Sequence, residues 1–364
     1  MKILTAALLL TLAFTVPVRG AGGSPAGDAG TMPDALPVVT EDTNTPIVVP
    51  EELYSQQQTA RDITRLKARY GDRMKVYAIG KSLDGRTIFD ITVGNPEAEK
   101  KLLVTAAIHG REYITIPIAM QQLEALLADM AAREAGEPAP PDSGISVAEL
   151  LTGVQVHFIP INNPDGVMIS QFGELALYSD TLRANLPAAW QAEGQPDSYS
   201  YYLKRWKTNA AGVDPNLNFD AGWGYLESVG HPTAYGVNTG SAPFSEPESR
   251  CLMELCQREE FDAVISYHAR GNVIYWDSFW NRAREASEDF AKAIGAVSGY
   301  DIQPSSMSAG GLKDWLQCRE NPIPGVTIEV GASEAPVNFG EYASIWRHNR
   351  SVIPAALDWL AGQP

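Results

Sequence analysis

With 364 residues, 45% of them apolar and 9% aromatic, the chain can build one large globular domain or two ordinary ones, and it is too apolar to be disordered. Its formal net charge is -16. Such a surface repels phosphate backbones, and no basic cluster interrupts it, so no nucleic-acid partner is expected.

The chain starts with Lys2 and a mostly apolar run over residues 3–16, closed by Pro17 and the small residues Gly20, Ala21 and Gly22. A basic start, a short apolar middle and small residues near a cleavage point predict a signal peptide over residues 1–20. The run is short for a membrane span, and no second long one follows. The expected mature protein is therefore exported and soluble, without stable membrane insertion, and a monomer; an uncleaved anchor is the alternative. Residues 21–50 are Gly, Pro, Ala, Asp and Thr with little periodicity, which reads as a flexible linker before a folded domain over 51–364.

Inside that domain, residues 76–80 and 86–93 read as strands joined by the turn Leu83-Asp84-Gly85. The continuous apolar run over 102–108 suits a strand buried on both faces, and 114–130 carries apolar residues at helical spacing. A Pro-rich patch over 132–144 reads as a surface loop. Residues 154–161 form another strand, and 245–258 a helix with Pro247 in its first turn. Short β-rich runs follow at 263–267, 273–276 and 326–330, and a helix over 342–360 closes the chain. Strands alternating with helices imply an α/β domain with a largely buried mixed sheet, whose sites collect where strands end.

The candidate chemistry falls at such ends. His109-Gly110-Arg111-Glu112 follows the buried run, and a His and a Glu three apart on a tight turn can hold one ion together. His268 ends Ile265-Ser266-Tyr267-His268. Of the other histidines, His157 sits mid-strand as a core residue, while His231 and His348 lie in polar surroundings. Two His and one Glu with a position left for water make a catalytic zinc set, one ion per chain. Glu329 stands in the apolar run Gly325-Val326-Thr327-Ile328-Glu329, where a carboxylate needs a partner or a task. Facing a zinc-activated water, it would take the proton and pass it to the leaving amine. Cys251, Cys256 and Cys318 read as core or half-buried thiols rather than a disulfide framework.

From about Tyr54 to Leu360 the chain resembles the zinc carboxypeptidases of the carboxypeptidase A family. The resemblance rests on Ile79-Gly80-Lys81-Ser82 with Gly85-Arg86, on Ile108-His109-Gly110-Arg111-Glu112-Tyr113-Ile114, and on Asn162-Asn163-Pro164-Asp165-Gly166. It continues through Gly212-Val213-Asp214, Pro243-Phe244-Ser245-Glu246-Pro247-Glu248, Ser266-Tyr267-His268 and Thr327-Ile328-Glu329. Gly310-Gly311-Leu312-Lys313-Asp314-Trp315 and Glu329-Val330-Gly331 are similar to the bacterial branch that includes γ-D-glutamyl-diaminopimelate peptidases. The resemblance implies a single α/β domain with a mixed eight-stranded sheet flanked by helices, and hydrolysis of a peptide or cell-wall stem peptide.

The chain also departs from that pattern. Leu217 occupies the place of the arginine that pairs with a substrate's terminal carboxylate, and Ala211 that of the arginine that polarises the scissile carbonyl. The place of the closing tyrosine falls near Ser306 and Met307. Arg111, Asn216 and Arg270 are the expected substrate contacts, with Arg205 a further candidate guanidinium. Two other readings follow from these losses: a zinc-containing protein that binds wall peptides without cutting them, and hydrolysis of a non-peptide amide.

Overall fold

The computed structural model describes residues 45–137, 146–226, 233–305 and 307–363. The expected signal peptide, most of the expected linker, His231 and Ser306 lie outside the described residues. Among the described residues no helix is long and apolar enough to cross a membrane.

Eight strands form one mixed sheet: β1 (Met74–Lys81), β2 (Thr87–Gly94), β3 (Lys100–Thr105), β4 (Val154–Ile159), β5 (Ala263–His268), β6 (Val273–Tyr275), β7 (Asp301–Gln303) and β8 (Gly325–Glu329). Their order is β1-β2-β4-β3-β5-β8-β6-β7. The centre, β4-β3-β5-β8, is parallel, and antiparallel pairs flank it at β1/β2, β2/β4 and β6/β8.

Alternation along each strand divides the core into two layers. Leu102 and Val104 of β3 pack with Leu123 and Leu127 of helix Thr115–Glu134, and with Phe290 and Leu357 of later helices. Leu103 faces the other way, against Leu252 and Leu255 of helix Pro247–Arg258 and Leu316 of helix Leu312–Cys318. A smaller apolar cluster of Ile169, Leu186, Tyr202 and Trp206 underlies the segment between β4 and β5.

Three expectations change. The domain begins before residue 51: Ile47 and Val48 are buried, and their amides donate to Glu124 Oε1 and Oε2, each at 2.8 Å. This apolar end of the segment is thus pinned by two charge-assisted hydrogen bonds, which a composition argument does not detect. The closing helix is two helices, Tyr342–Asn349 and Val352–Ala361, split around Ser351. β3 stops at Thr105, and Ala107 takes a positive φ of 50° as the chain leaves the sheet toward His109. The cysteines are free thiols, Cys251 and Cys256 buried, as expected of core residues.

Candidate metal centre

The parallel strands β3, β5 and β8 are neighbours, so their carboxyl ends lie side by side. His268 is the last residue of β5, Glu329 the last of β8, and the two are register partners across the ladder. His109 stands just beyond β3, and Glu112 closes the 3₁₀ turn Gly110–Glu112 that follows.

That turn is clamped from outside. The Gly110 amide donates to the Lys207 carbonyl at 2.8 Å. A Cβ on Gly110 would meet the Gly166 carbonyl oxygen at 2.3 Å, so only glycine permits the approach. Asn163 accepts from the Gly166 amide at 2.9 Å and donates to the Ile108 and Thr208 carbonyls at 3.0 and 3.1 Å, stitching three segments together behind the turn. Asp165 in turn gathers Ser82, Arg86 and the Asp84 amide in a buried ion cluster. These contacts give the Asn-Asn-Pro-Asp-Gly and Lys-Ser…Gly-Arg stretches a scaffolding role.

The donor atoms of His109, Glu112 and His268 all lie within 4.8 Å of one another, and all three residues are buried. His109 Nδ1 is 2.8 Å from Glu112 Oε1, and His268 Nδ1 is 3.1 Å from Glu112 Oε2. Both rings thus turn Nδ1 toward the same carboxylate. His109 Nε2 is held on the other side by Asp214 Oδ1 at 3.1 Å, which favours the tautomer that leaves Nδ1 as the ligand. Burial by itself would raise the Glu112 and Asp214 carboxyls. The two histidines hold Glu112 well below the ordinary carboxylate range, and Lys207 with His109 does the same for Asp214. The pocket favours positive charge between fixed anions. A borderline-soft dication with two nitrogen ligands and one carboxylate fits this set.

Glu329 is partly exposed to this space, and among the described residues its carboxylate has no hydrogen-bonded partner. Burial pushes its carboxyl up to about 7, with Glu112 adding to the rise, while His268, Lys207 and Arg111 pull the other way. Arg111 makes no ion pair among the described residues, and its Nε is buried without a partner. The Asn216 backbone N–H donates to Asp214 Oδ1 at 2.9 Å, next to the centre.

Two expected guanidiniums are engaged elsewhere. Arg270 is exposed and ion-paired with Glu334 at the surface. Arg205 lies over the rings of Tyr201 and Tyr235. His157 is a core residue between Asp90 and Gln155, and His348 stacks on Tyr300. Sequence reasoning missed Asp214 and Lys207 as parts of the centre: Lys207 Nζ sits 2.7 Å from Asp214 Oδ2, behind the bond to His109. The usable signal was the rule that a metal-bound histidine hands its second nitrogen to a carboxylate.

A model of the zinc carboxypeptidase family matches residues 59–340, which span every strand and the whole centre. The chain belongs to the zinc carboxypeptidase family. Members of this family are zinc metallopeptidases that use one zinc ion, and the His-Glu-His group is where such an ion fits here. Gamma-D-glutamyl-L-diamino acid endopeptidase 1 of Lysinibacillus sphaericus is 29% identical over 84% of this chain and 73% of its own length. Carboxypeptidase A2 of Mus musculus is 22% identical over 65% of this chain and 52% of its own. Among solved structures, thrombin-activatable fibrinolysis inhibitor superposes with a TM-score of 0.67 at 16% identity, covering 89% of this chain and 79% of that one. Carboxypeptidase A of Helicoverpa armigera gives 0.61 at 16%, covering 87% and 76%. The zinc carboxypeptidase fold, with its eight-stranded mixed sheet, is therefore that of this chain.

Proposed function

We propose that this zinc carboxypeptidase-family chain is an exported, monomeric peptidase that hydrolyses peptide bonds at the His109-Glu112-His268 centre, with Glu329 moving the proton. The observation that carries the reading is a carboxylate at the end of β8, in register with His268, that has no hydrogen-bonded partner among the described residues. Residues 1–20 are its signal peptide. Zinc held there supplies Lewis acidity toward the scissile carbonyl and makes a water acidic enough to attack near neutral pH. Glu329 accepts the proton from the attacking water and delivers it to the leaving amine nitrogen. Asp214 keeps His109 oriented throughout. Arg111, whose Nε is buried with no partner among the described residues, and Asn216 are the proposed contacts for substrate oxygens.

The substrate follows from what stands at the rim. Leu217 cannot form the bidentate pair that a free terminal carboxylate requires, which argues against simple C-terminal trimming. The relative from Lysinibacillus sphaericus is named as an endopeptidase on gamma-D-glutamyl-L-diamino acid linkages, which supports cell-wall stem peptides as the substrate class. The net charge of -16 argues against nucleic acid.

A pool of ordinary peptides and muropeptides, incubated with the wild type and with Glu329→Gln and read by mass spectrometry, tests this. The expected products appear with the wild type alone and vanish on chelation. Absence of cleavage by a folded, zinc-loaded protein would leave the second reading, a zinc-containing wall-peptide binder, which Leu217, Ala211 and the missing tyrosine favour.

A further inference from the structure

Lys207 is locked onto the metal centre through both its backbone and its side chain. Its carbonyl accepts from the Gly110 amide at 2.8 Å, and its own amide donates to the Ala234 carbonyl at 2.7 Å, which fixes its backbone against the ligand turn. Its Nζ reaches Asp214 Oδ2 at 2.7 Å, and Asp214 Oδ1 lies 3.1 Å from His109 Nε2. The pair packs against Gly236, where a Cβ would fall 2.9 Å from Lys207 Cδ and 2.7 Å from Asp214 Oδ2. Only glycine leaves room for them there.

Pairing with Asp214 does not use up this lysine. An ammonium has three N–H donors, and among the described residues Asp214 Oδ2 is its only hydrogen-bond acceptor. The Asp214 side chain is wholly buried, whereas that of Lys207 is 19% exposed, so the pair is reached from outside at its lysine end. The charge is felt where the chemistry is placed: burial raises the Glu329 carboxyl, and His268, Lys207 and Arg111 oppose it in that order. Attack of water on a carbonyl leaves negative charge on its oxygen, which needs donors beside it. The arginine expected for that task is replaced by Ala211, while Arg270 pairs with Glu334 and Arg205 lies over Tyr201 and Tyr235.

We propose that Lys207 is a catalytic residue: its ammonium, anchored on Asp214, turns a spare N–H to the carbonyl oxygen of the cleaved bond and stabilises the charge that develops there. The proposal rests on the hydrolase reading above. The lysine keeps all its protons and forms no covalent bond; Glu329 alone moves the proton. A compact ammonium on a four-carbon stem has rotatable donors, so it can serve Asp214 and a substrate oxygen together. One cation then does two tasks, holding the support of His109 and meeting the oxyanion.

The test compares zinc-loaded wild type, Lys207→Met and Lys207→Arg on one stem peptide and on its phosphonate analogue, in which a charged tetrahedral group replaces the scissile amide. Because the charge exists only in the transition state, Lys207→Met should lose about 10²–10³ in kcat with KM within about threefold. It should bind the phosphonate about 10²-fold more weakly, and Lys207→Arg, which keeps a cation, should regain about tenfold or more of both losses. Zinc affinity, read by competition with a chelator, separates the rival role. A lysine that only orients Asp214 would weaken zinc binding in Lys207→Met, yet at saturating zinc its kcat and phosphonate affinity would match the wild type. That result overturns the proposal, and so does Lys207→Arg performing no better than Lys207→Met. If Lys207→Met fails to fold, Lys207→Gln, neutral and hydrophilic, takes its place with the same expectations. If the wild type cuts nothing, the hydrolase reading has failed and the phosphonate alone decides. Weaker binding by about 10²-fold in Lys207→Met then keeps Lys207 as the oxyanion donor, and equal affinity, or no binding by either, overturns it.

Discussion

Around His109, both ring nitrogens face carboxylates, Asp214 has its lysine, and the Gly110 amide has its carbonyl. At the rim, Leu217 and Ala211 lie close to Asp214 in sequence at the positions where the resemblance leads one to expect arginines, and Met307, near the expected place of a tyrosine, is 71% exposed. The cradle keeps a geometry that tolerates little change, because His109 is positioned by Asp214, which is itself buried and ion-paired with Lys207. Leu217 and Ala211 are tied in through their backbone amides, to the Asp214 carbonyl and to Asn209 Oδ1, so their side-chain types can change without loosening the centre. The contrast separates two properties that often travel together: the power to activate water at a metal, and the choice of which chain is brought to it.

The largest effect should come from the cradle. Glu329→Gln removes the proposed proton carrier and leaves the ligands, so kcat should fall by about 10²–10⁴ while bound zinc, measured by elemental analysis, stays near one per chain. A variant that also loses its zinc would place Glu329 among the supports instead. Asp214→Ala frees His109 Nε2 and lowers zinc affinity about 10–100-fold, read by competition with a chelator. Zinc held as tightly as in the wild type would break the claim that the cradle depends on its outer carboxylate.

At the rim, Leu217→Arg introduces a bidentate donor beside the centre. Preference for free-acid over amidated peptides should then rise about tenfold, with the zinc content unchanged. The smallest effect is on stability. Glu248 is fully buried beside Asn209, and its Oε1 has no partner. Burial, with Asp165 and Glu246 adding to it, pushes its carboxyl from 4.5 up to about 8. The folded state thus keeps a proton that the unfolded state gives up, so this group's contribution to stability declines as pH rises through that interval. Glu248→Gln should flatten the fall in melting temperature between about pH 5 and 8; an unchanged slope would mean that Glu248 is ionised in the fold.

Much of the centre was legible in the sequence because its parts end apolar runs. His268 and Glu329 close strands whose every other residue is core, so a polar residue there stands out. The His109-Glu112 spacing already fixes a shared side. What stayed hidden depends on contacts between distant segments. Lys207 and Asp214 were both in view as motif letters, but only folding shows that they stack behind His109. Arg270 follows a ligand closely in sequence, and only folding shows that Glu334, far along the chain, pairs with it. β7 is three exposed residues with no apolar alternation, and it forms only because β6 offers it an edge. The docking of Ile47 and Val48 depends on Glu124, a residue that reads from sequence as one more charge on a helix.

The account turns on a complete hydrolytic centre behind a rim that does not ask for a terminal carboxylate. The direct test compares kcat/KM of the zinc-loaded wild type on one stem-peptide sequence supplied as the free acid and as the amide. The account predicts that the amide is cut at least as well as the free acid, and that Glu329→Gln cuts neither. A preference of about tenfold or more for the free acid would contradict it, because some other cation would then be doing the work of the arginine that Leu217 replaces.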